Sequence, residues 1–363
     1  VNEKILMCGN EALAEAAVRA RLDAYFGYPI TPQNEVTAYM ARRMPELGRV
    51  FLQCESELAA INMVFGAAAT GKRAMTSSSS PGISLMQEGI SYLAGAELPA
   101  VIVNVMRGGP GLGNIAPSQG DYFQATRGGG HGDYRTIAIA PSSVQELSDC
   151  MGAAFDLADR YRTPVIVLAD GILGQMMEPV AFRTTSRRYC PPKDWALTGA
   201  DHRTQRIVRS LWLEEGVLEK LNYRLQEKYR RIEKNEVICD QDQVEDSRIV
   251  VVAYGIAARI AGAAVTAARR EGIRAGLIRP VTVWPFPTAR IRRAADRMRV
   301  FLVVEMNCGQ MVDDVRLSVA GKAPVLFYGR PGGGVPGVEE ILDRIRQLAI
   351  REKTAATGGK VHG

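Results

Sequence analysis

The chain has no Cys-x-x-Cys pair and only three histidines in 363 residues, so the ligand spacing of a zinc site or an iron–sulfur cluster is absent. Its six cysteines, Cys8, Cys54, Cys150, Cys190, Cys239 and Cys308, lie far apart. Reduced thiols account for them, with Cys8 and Cys54 set among apolar neighbours. No apolar run reaches the roughly 18 residues that a bilayer span requires, and Val1 to Glu11 lacks the apolar stretch of a signal peptide. A soluble, cytoplasmic chain with no metal centre of its own is expected. No strand, Gly-x-Gly-x-x-Gly, helix unit occurs, which argues against an independent dinucleotide-binding dehydrogenase. No fixed-period repeat is visible.

What is present suits a folded protein. Hydrophobic residues make up 47% and charged residues 23% of the chain, which fits neither disorder nor a fibre. At roughly 100 to 200 residues per domain the length suggests about two domains. The 45 Lys and Arg against 39 Asp and Glu leave +6, spread along the sequence; no nucleic-acid partner is implied.

Helix-period stretches (Ala12 to Asp23, Pro32 to Met44, Ser56 to Thr70, Ile83 to Gly95, Val144 to Tyr161) alternate with short strands (Val50 to Gln53, Arg73 to Ser77, Ala100 to Val105, Thr136 to Ala140, Val165 to Leu168). Uncharged runs such as Val101-Ile102-Val103-Asn104-Val105 indicate burial on both faces, hence a mainly parallel sheet covered by helices. This delimits an α/β domain over residues 1–185. Residues 186–246 read as a linker, with Arg187-Arg188, Pro191-Pro192 and a charged helix from Leu211 to Lys234. Strand and helix alternation resumes in a smaller α/β domain over 247–350, and 351–363 read as a disordered polar tail.

Several loops carry candidate chemistry. In Gly27-Tyr28-Pro29-Ile30-Thr31-Pro32, Thr31 is suited to cap a helix whose first position is Pro32, and such a helix start offers N–H groups to a carboxylate. Capping alone is the simpler reading. In Gln53-Cys54-Glu55-Ser56-Glu57, acidic residues at a helix start are favoured by its dipole, yet a carboxyl there also stands at the edge where open α/β sheets place ligands. Thr76 through Gly82 joins a strand to a helix, with capping as the default role of its serines. Arg107, at a strand end, opens a segment of some 27 residues without clear secondary structure that ends at Asp133; loops of that length are usually functional or disordered. Arg107 could clamp a carboxylate in bidentate fashion or be structurally paired. His131 reads as a loop hydrogen-bonder rather than a general base, and Trp284-Pro285-Phe286-Pro287 as a rigid packed turn.

Taken in order, Tyr28-Pro29-Ile30-Thr31-Pro32, Glu55-Ser56-Glu57, Ser77 to Gly82, Arg107-Gly108-Gly109-Pro110, and Leu277-Ile278-Arg279-Pro280 with Trp284 to Pro287 resemble the α subunit of 2-oxoacid:ferredoxin oxidoreductases. The resemblance runs from about Gly9 to Pro331. Gly113 to Asp121 and Asp170 to Pro179 look most like the branched-chain (2-oxoisovalerate) branch and less like the 2-oxoglutarate branch.

The resemblance implies a pyrimidine-binding domain of the thiamine-diphosphate type, followed by a smaller α/β domain like the C-terminal domain of transketolase. It implies oxidative decarboxylation of a 2-oxoacid to an acyl-CoA, with thiamine diphosphate as cofactor, CoA as co-substrate and ferredoxin as electron acceptor. Counting back nine residues from Gly66 aligns Glu57, rather than Glu55, with the family glutamate that contacts the pyrimidine N1′. That contact favours the cofactor's imino tautomer, whose exocyclic nitrogen can remove the thiazolium C2 proton. Pro29 and Ile30 match cofactor-contacting positions, and Thr31 and Arg107 match residues that bind the oxoacid carboxylate. Whether burial or the helix dipole dominates the Glu57 carboxyl stays open at this level.

The chain shows no acidic motif for Mg²⁺ and diphosphate and no cluster ligands. The family therefore implies a β subunit carrying the diphosphate and Mg²⁺ site and at least one iron–sulfur cluster, with γ and ferredoxin-like subunits, and an active site at a subunit interface. The alternatives are a 2-oxoglutarate or pyruvate-type substrate, or a non-catalytic scaffold whose sheet-edge loops only bind a partner.

Overall fold

The computed structural model describes residues 4–182 and 191–358. Arg187-Arg188 and Cys190 lie outside the described residues. The first part of the chain runs β1 (Ile5–Cys8), α1 (Gly9–Arg19), β2 (Ala24–Gly27), α2 (Asn34–Glu46), β3 (Val50–Gln53), α3 (Glu57–Ala69), β4 (Ala74–Ser78), α4 (Ser80–Gly95), β5 (Ala100–Met106), α5 (Tyr122–Arg127), β6 (Ile137–Ile139), α6 (Val144–Tyr161), β7 (Pro164–Asp170), α7 (Gly171–Gln175) and β8 (Met177–Val180). The rest runs α8 (Val217–Asn235), β9 (Cys239–Asp242), β10 (Ile249–Val252), α9 (Gly255–Arg270), β11 (Ala275–Pro280), β12 (Thr282–Trp284), α10 (Thr288–Ala295), β13 (Val300–Glu305), α11 (Met311–Val319), β14 (Val325–Gly329) and α12 (Val338–Gly358).

Seven strands form the larger sheet in the order β12-β6-β7-β5-β4-β2-β3, parallel except where β12 meets β6. Every residue of β4, β5 and β7 is buried, as expected of strands with helices on both faces. The smaller sheet has the order β14-β13-β10-β11-β9, parallel except for β9. Sequence periodicity shows the second α/β unit but not its outer strand β9.

Two features tie the halves together. After β11 the chain leaves the small sheet, and Thr282–Trp284 pairs with Ile139 and Ala138 at the edge of the large one. The turn at Trp284-Pro285 is thus the end of a strap onto the first domain, and Trp284 meets Tyr229 of α8 edge-on at 5.9 Å. The charged helix α8 is not a freely solvated rod: Leu221, Leu225, Tyr229 and Ile232 recur on one buried face. Lys228 on that face reaches Glu97 Oε1 at 3.2 Å and the Arg162 carbonyl at 3.1 Å. Where the sequence suggests a polar tail from Arg351, α12 runs on to Gly358, and 359–363 lie outside the described residues.

Candidate functional site at the carboxyl edge of the large sheet

Because β3, β2, β4, β5 and β7 are parallel neighbours, the loops that follow them share one edge. Glu57, Thr31, Ser78 to Ser80, Arg107 and Asp170 follow or end these five strands. A crevice outside the carboxyl ends of parallel strands is the usual ligand position of open α/β sheets.

Glu57 is the first residue of α3, where Ser56 caps by accepting from the Ala59 N–H at 3.2 Å. Glu57 is 5% exposed, whereas Glu55 is exposed. The Glu57 carboxyl crosses to the next loop, where Ser78 Oγ donates to Oε1 at 3.4 Å. It lies against Gly82, and a Cβ there would stand 2.4 Å from Oε1 and 2.0 Å from Ser78 Oγ. Only a glycine lets this carboxyl approach α4 so closely. With one long hydrogen bond the carboxyl retains capacity for another donor.

Thr31 does not cap a helix. The Gln33 N–H returns to the Ile30 carbonyl at 3.0 Å, closing a turn over Thr31 and Pro32, whose peptide is cis. Consequently α2 starts two residues later than expected, with Gln33 at its cap position and no side-chain cap bond. The turn leaves the Thr31 carbonyl free to accept from Arg107 Nη1 at 3.0 Å, while Nη2 donates to the Leu112 carbonyl at 3.0 Å. Thr31 and Arg107 are therefore in direct contact. Each guanidinium nitrogen Nη keeps a second N–H, so a fork for a carboxylate remains. Pro29 is exposed and Ile30 half-buried on the same turn.

The serines do not cap α4 as the default reading had it. Ser77 Oγ donates to Gln33 Oε1 at 2.6 Å and is 2.7 Å from Tyr25 Oη. Ser80 Oγ donates to Asp121 Oδ2 at 2.5 Å. Ser79 Oγ and Asn104 Oδ1 are buried and have no hydrogen-bond partner in the protein. His131 is exposed, and its carbonyl, not its ring, accepts from Ser91 Oγ at 3.0 Å.

Sequence reasoning missed Gln33, Asp121 and Asp170. Burial raises the Asp121 carboxyl above its ordinary pKa, opposed by the bonds from Ser80 and Asn104. Burial likewise pushes Asp170 up to about 6, against the N–H groups of Ile172 and Leu173 at 2.9 and 3.1 Å. Asp170 is legible in hindsight as Asp before Gly at a strand end, an N-cap signal. Among the described residues no group of three or more His, Cys, Asp or Glu side chains could hold a metal ion. Nor is any described helix long and apolar enough to cross a membrane.

Two family models match the chain. Residues 15–201 match the thiamine-diphosphate-binding domain of pyruvate flavodoxin/ferredoxin oxidoreductases, and residues 247–341 match core domain II of pyruvate:ferredoxin oxidoreductase. The ketoisovalerate oxidoreductase subunit VorB of Methanothermobacter thermautotrophicus is 53% identical over 94% of this chain and 97% of its own length. A structure of 2-oxoglutarate:ferredoxin oxidoreductase from Magnetococcus marinus with 2-oxoglutarate, coenzyme A and succinyl-CoA bound superposes with a TM-score of 0.85 at 27% identity. It covers 96% of this chain and 66% of that longer one. A split-gene transketolase, at TM-score 0.60 and 13% identity over 95% of this chain and 98% of its own, shares the fold.

Proposed function

The chain belongs to the 2-oxoacid:ferredoxin oxidoreductase α family, and from that membership we propose that it holds the pyrimidine end of thiamine diphosphate and the carboxylate of a branched-chain 2-oxoacid. The observation that carries this reading is the gathering of Glu57 and the Arg107–Thr31 pair on one sheet edge. The substrate class rests on the 53% identity to the ketoisovalerate subunit, against 39% to the 2-oxoglutarate synthase subunit KorA of the same organism.

The residues fit the cofactor. Glu57 offers a buried carboxyl with one long bond, beside a glycine whose missing side chain leaves room. The unpartnered Ser79 Oγ and Asn104 Oδ1 are further polar groups at this edge. When bound, thiamine diphosphate supplies the nucleophilic carbon and electron sink that decarboxylation needs. Glu57, with Pro29 and Ile30 beside the ring, would hold a proton at the pyrimidine N1′. Arg107 and Thr31 anchor and orient the oxoacid carboxylate, which fixes the carbonyl carbon for attack. The Tyr25–Ser77–Gln33 network stiffens the turn that carries Thr31.

The remaining parts are assigned to partner subunits, consistent with relatives named as subunits. A β subunit supplies the diphosphate and Mg²⁺ site and an iron–sulfur cluster, γ and ferredoxin-like subunits complete the complex, CoA takes the acyl group, and ferredoxin takes the electrons. Free thiols at Cys8, Cys54, Cys150, Cys239 and Cys308 fit a cytoplasmic setting. We assign the pyrimidine-binding unit to 1–185 and the transketolase C-terminal-like unit to 247–350.

The test is reconstitution with the copurifying subunits, followed by rates with 2-oxoisovalerate, 2-oxoglutarate and pyruvate for the parent and for Glu57→Gln. The reading expects a preference for 2-oxoisovalerate and near-complete loss of decarboxylation in an intact Glu57→Gln complex. Parental turnover by that variant removes Glu57 from the mechanism.

A further inference from the structure

We propose that Asp121 is a positioning residue for Arg107, and that the small sheet holds Asp121 in place for that purpose. The proposal rests on the reading of Arg107 as the carboxylate clamp and adds what aims it. The guanidinium is held by two carbonyls, those of Thr31 and Leu112. Neither neutralises its charge, so the attraction for an incoming carboxylate is kept. Its direction then depends on where the Arg107 backbone sits.

That backbone is fixed by a relay. The Arg107 N–H donates to Ser80 Oγ at 3.0 Å, and Ser80 Oγ stands 2.5 Å from Asp121 Oδ2. A serine hydroxyl has one proton, and the short contact to a carboxylate commits it to Asp121, leaving a lone pair for the Arg107 N–H. The same Oδ2 accepts from Asn104 Nδ2 at 2.8 Å, three residues before Arg107 on β5. One carboxylate thereby ties the end of β5 and the start of α4 to each other.

Asp121 is itself clamped from the other half of the molecule. Gln119, buried, donates from Nε2 to the Tyr254 carbonyl at 2.9 Å and accepts at Oε1 from the Met306 N–H at 3.0 Å. Its own backbone N–H donates to the Met306 carbonyl at 3.0 Å. On either side of Asp121, Gln310 donates to the Gly120 carbonyl at 2.7 Å and accepts from the Phe123 N–H at 2.7 Å. Tyr122 Oη donates to Asp314 Oδ2 at 2.6 Å. The long segment after β5 is thus pinned to the β13–α11 turn and to α11, and the second domain acts on the substrate edge through it.

The test uses the reconstituted complex and compares Asp121→Ala, Asp121→Asn, Ser80→Ala and Arg107→Ala. Asp121→Ala is expected to raise KM for the 2-oxoacid about tenfold, the equivalent of one charge-assisted hydrogen bond, with kcat within about twofold of the parent and saturation by thiamine diphosphate and CoA unchanged. The inhibition constant of 3-methylbutanoate, a non-reacting carboxylate, should rise in parallel. Asp121→Asn, whose amide oxygen can still accept from Ser80, should recover most of the loss. In an Arg107→Ala background, Asp121→Ala should add nothing. Should Asp121→Ala fail to assemble, Ser80→Ala breaks the same relay from its other end and is expected to show the same KM effect. A normal KM for both relay variants, in a protein where Arg107→Ala raises it, overturns this proposal and leaves the clamp standing. So does a uniform change in kcat and in all ligand constants, which marks a merely structural role. A normal KM for Arg107→Ala instead overturns the clamp itself.

Discussion

The Glu57 carboxyl and the α-carbon of Gly82 are packed against each other, so closely that a methyl group on Gly82 would stand 2.4 Å from Oε1. Nothing can occupy that position unless the carboxyl or the Ser78 hydroxyl moves. Gly82→Ala should therefore displace the acid while leaving its chemistry intact, a separation that Glu57→Gln cannot make. Decarboxylation is expected to fall about 10²-fold, the usual worth of a positioned acid or base, with thiamine diphosphate affinity lowered in equilibrium titration of the complex. Unchanged affinity and rate would mean that the carboxyl does not touch the cofactor.

Replacing Arg107 with Lys keeps the charge and removes the fork. An ammonium cannot reach the Thr31 and Leu112 carbonyls together and still present two parallel N–H groups. KM for the oxoacid should rise about ten- to a hundredfold with a smaller fall in kcat. Steady-state kinetics on the complex decides it, and a drop confined to kcat would count against a role in binding the ground-state carboxylate.

How much of this was legible depended on the range of the interactions. Buried strands such as Ala100–Met106 and the amphipathic Val144–Tyr161 announce themselves by period, because burial of each residue is set by local helix or strand geometry. The short strand Ala24–Gly27 does not: four residues without a β-branched side chain carry no period. Glu57 could be chosen over Glu55 only through family spacing, since both precede the same apolar helix. The Thr31 cap failed because Gln33 turns inward to Ser77, a partner 44 positions away. Asp121 was invisible for the same reason. An Asp in a Gly-rich loop looks solvated until Ser80 and Asn104 are brought to it by the fold.

Gln119 joins the segment after β5 to the smaller sheet through two bonds of one buried side chain. Gln119→Ala leaves the buried Met306 N–H without its partner and removes one of the two donors to the Tyr254 carbonyl, which keeps the Ala258 N–H at 3.2 Å. At roughly 1 to 3 kcal/mol for that stranded group and about 1 kcal/mol for the second hydrogen bond, a loss of about 2 to 4 kcal/mol is expected, read as a fall in the urea midpoint at unchanged slope. A change of slope with no change of midpoint would instead indicate that the halves unfold separately.

Asp170 makes the stability of the large sheet depend on pH in the opposite sense to a salt-bridged acid. Burial pushes its carboxyl up to about 6 from a usual value near 3.8, so the folded chain takes up a proton that the unfolded chain does not. Stability falls as pH rises through that window, and at neutral pH the ionised buried group costs up to about 3 kcal/mol. Asp170→Asn retains an oxygen for the Ile172 and Leu173 N–H groups but does not titrate. The variant should match the parent near pH 4 and become progressively more stable than it by pH 7. Urea midpoints at pH 4, 5, 6 and 7 give the comparison; a constant offset across the range would show that the carboxyl is ionised throughout and that the two helix N–H groups outweigh its burial.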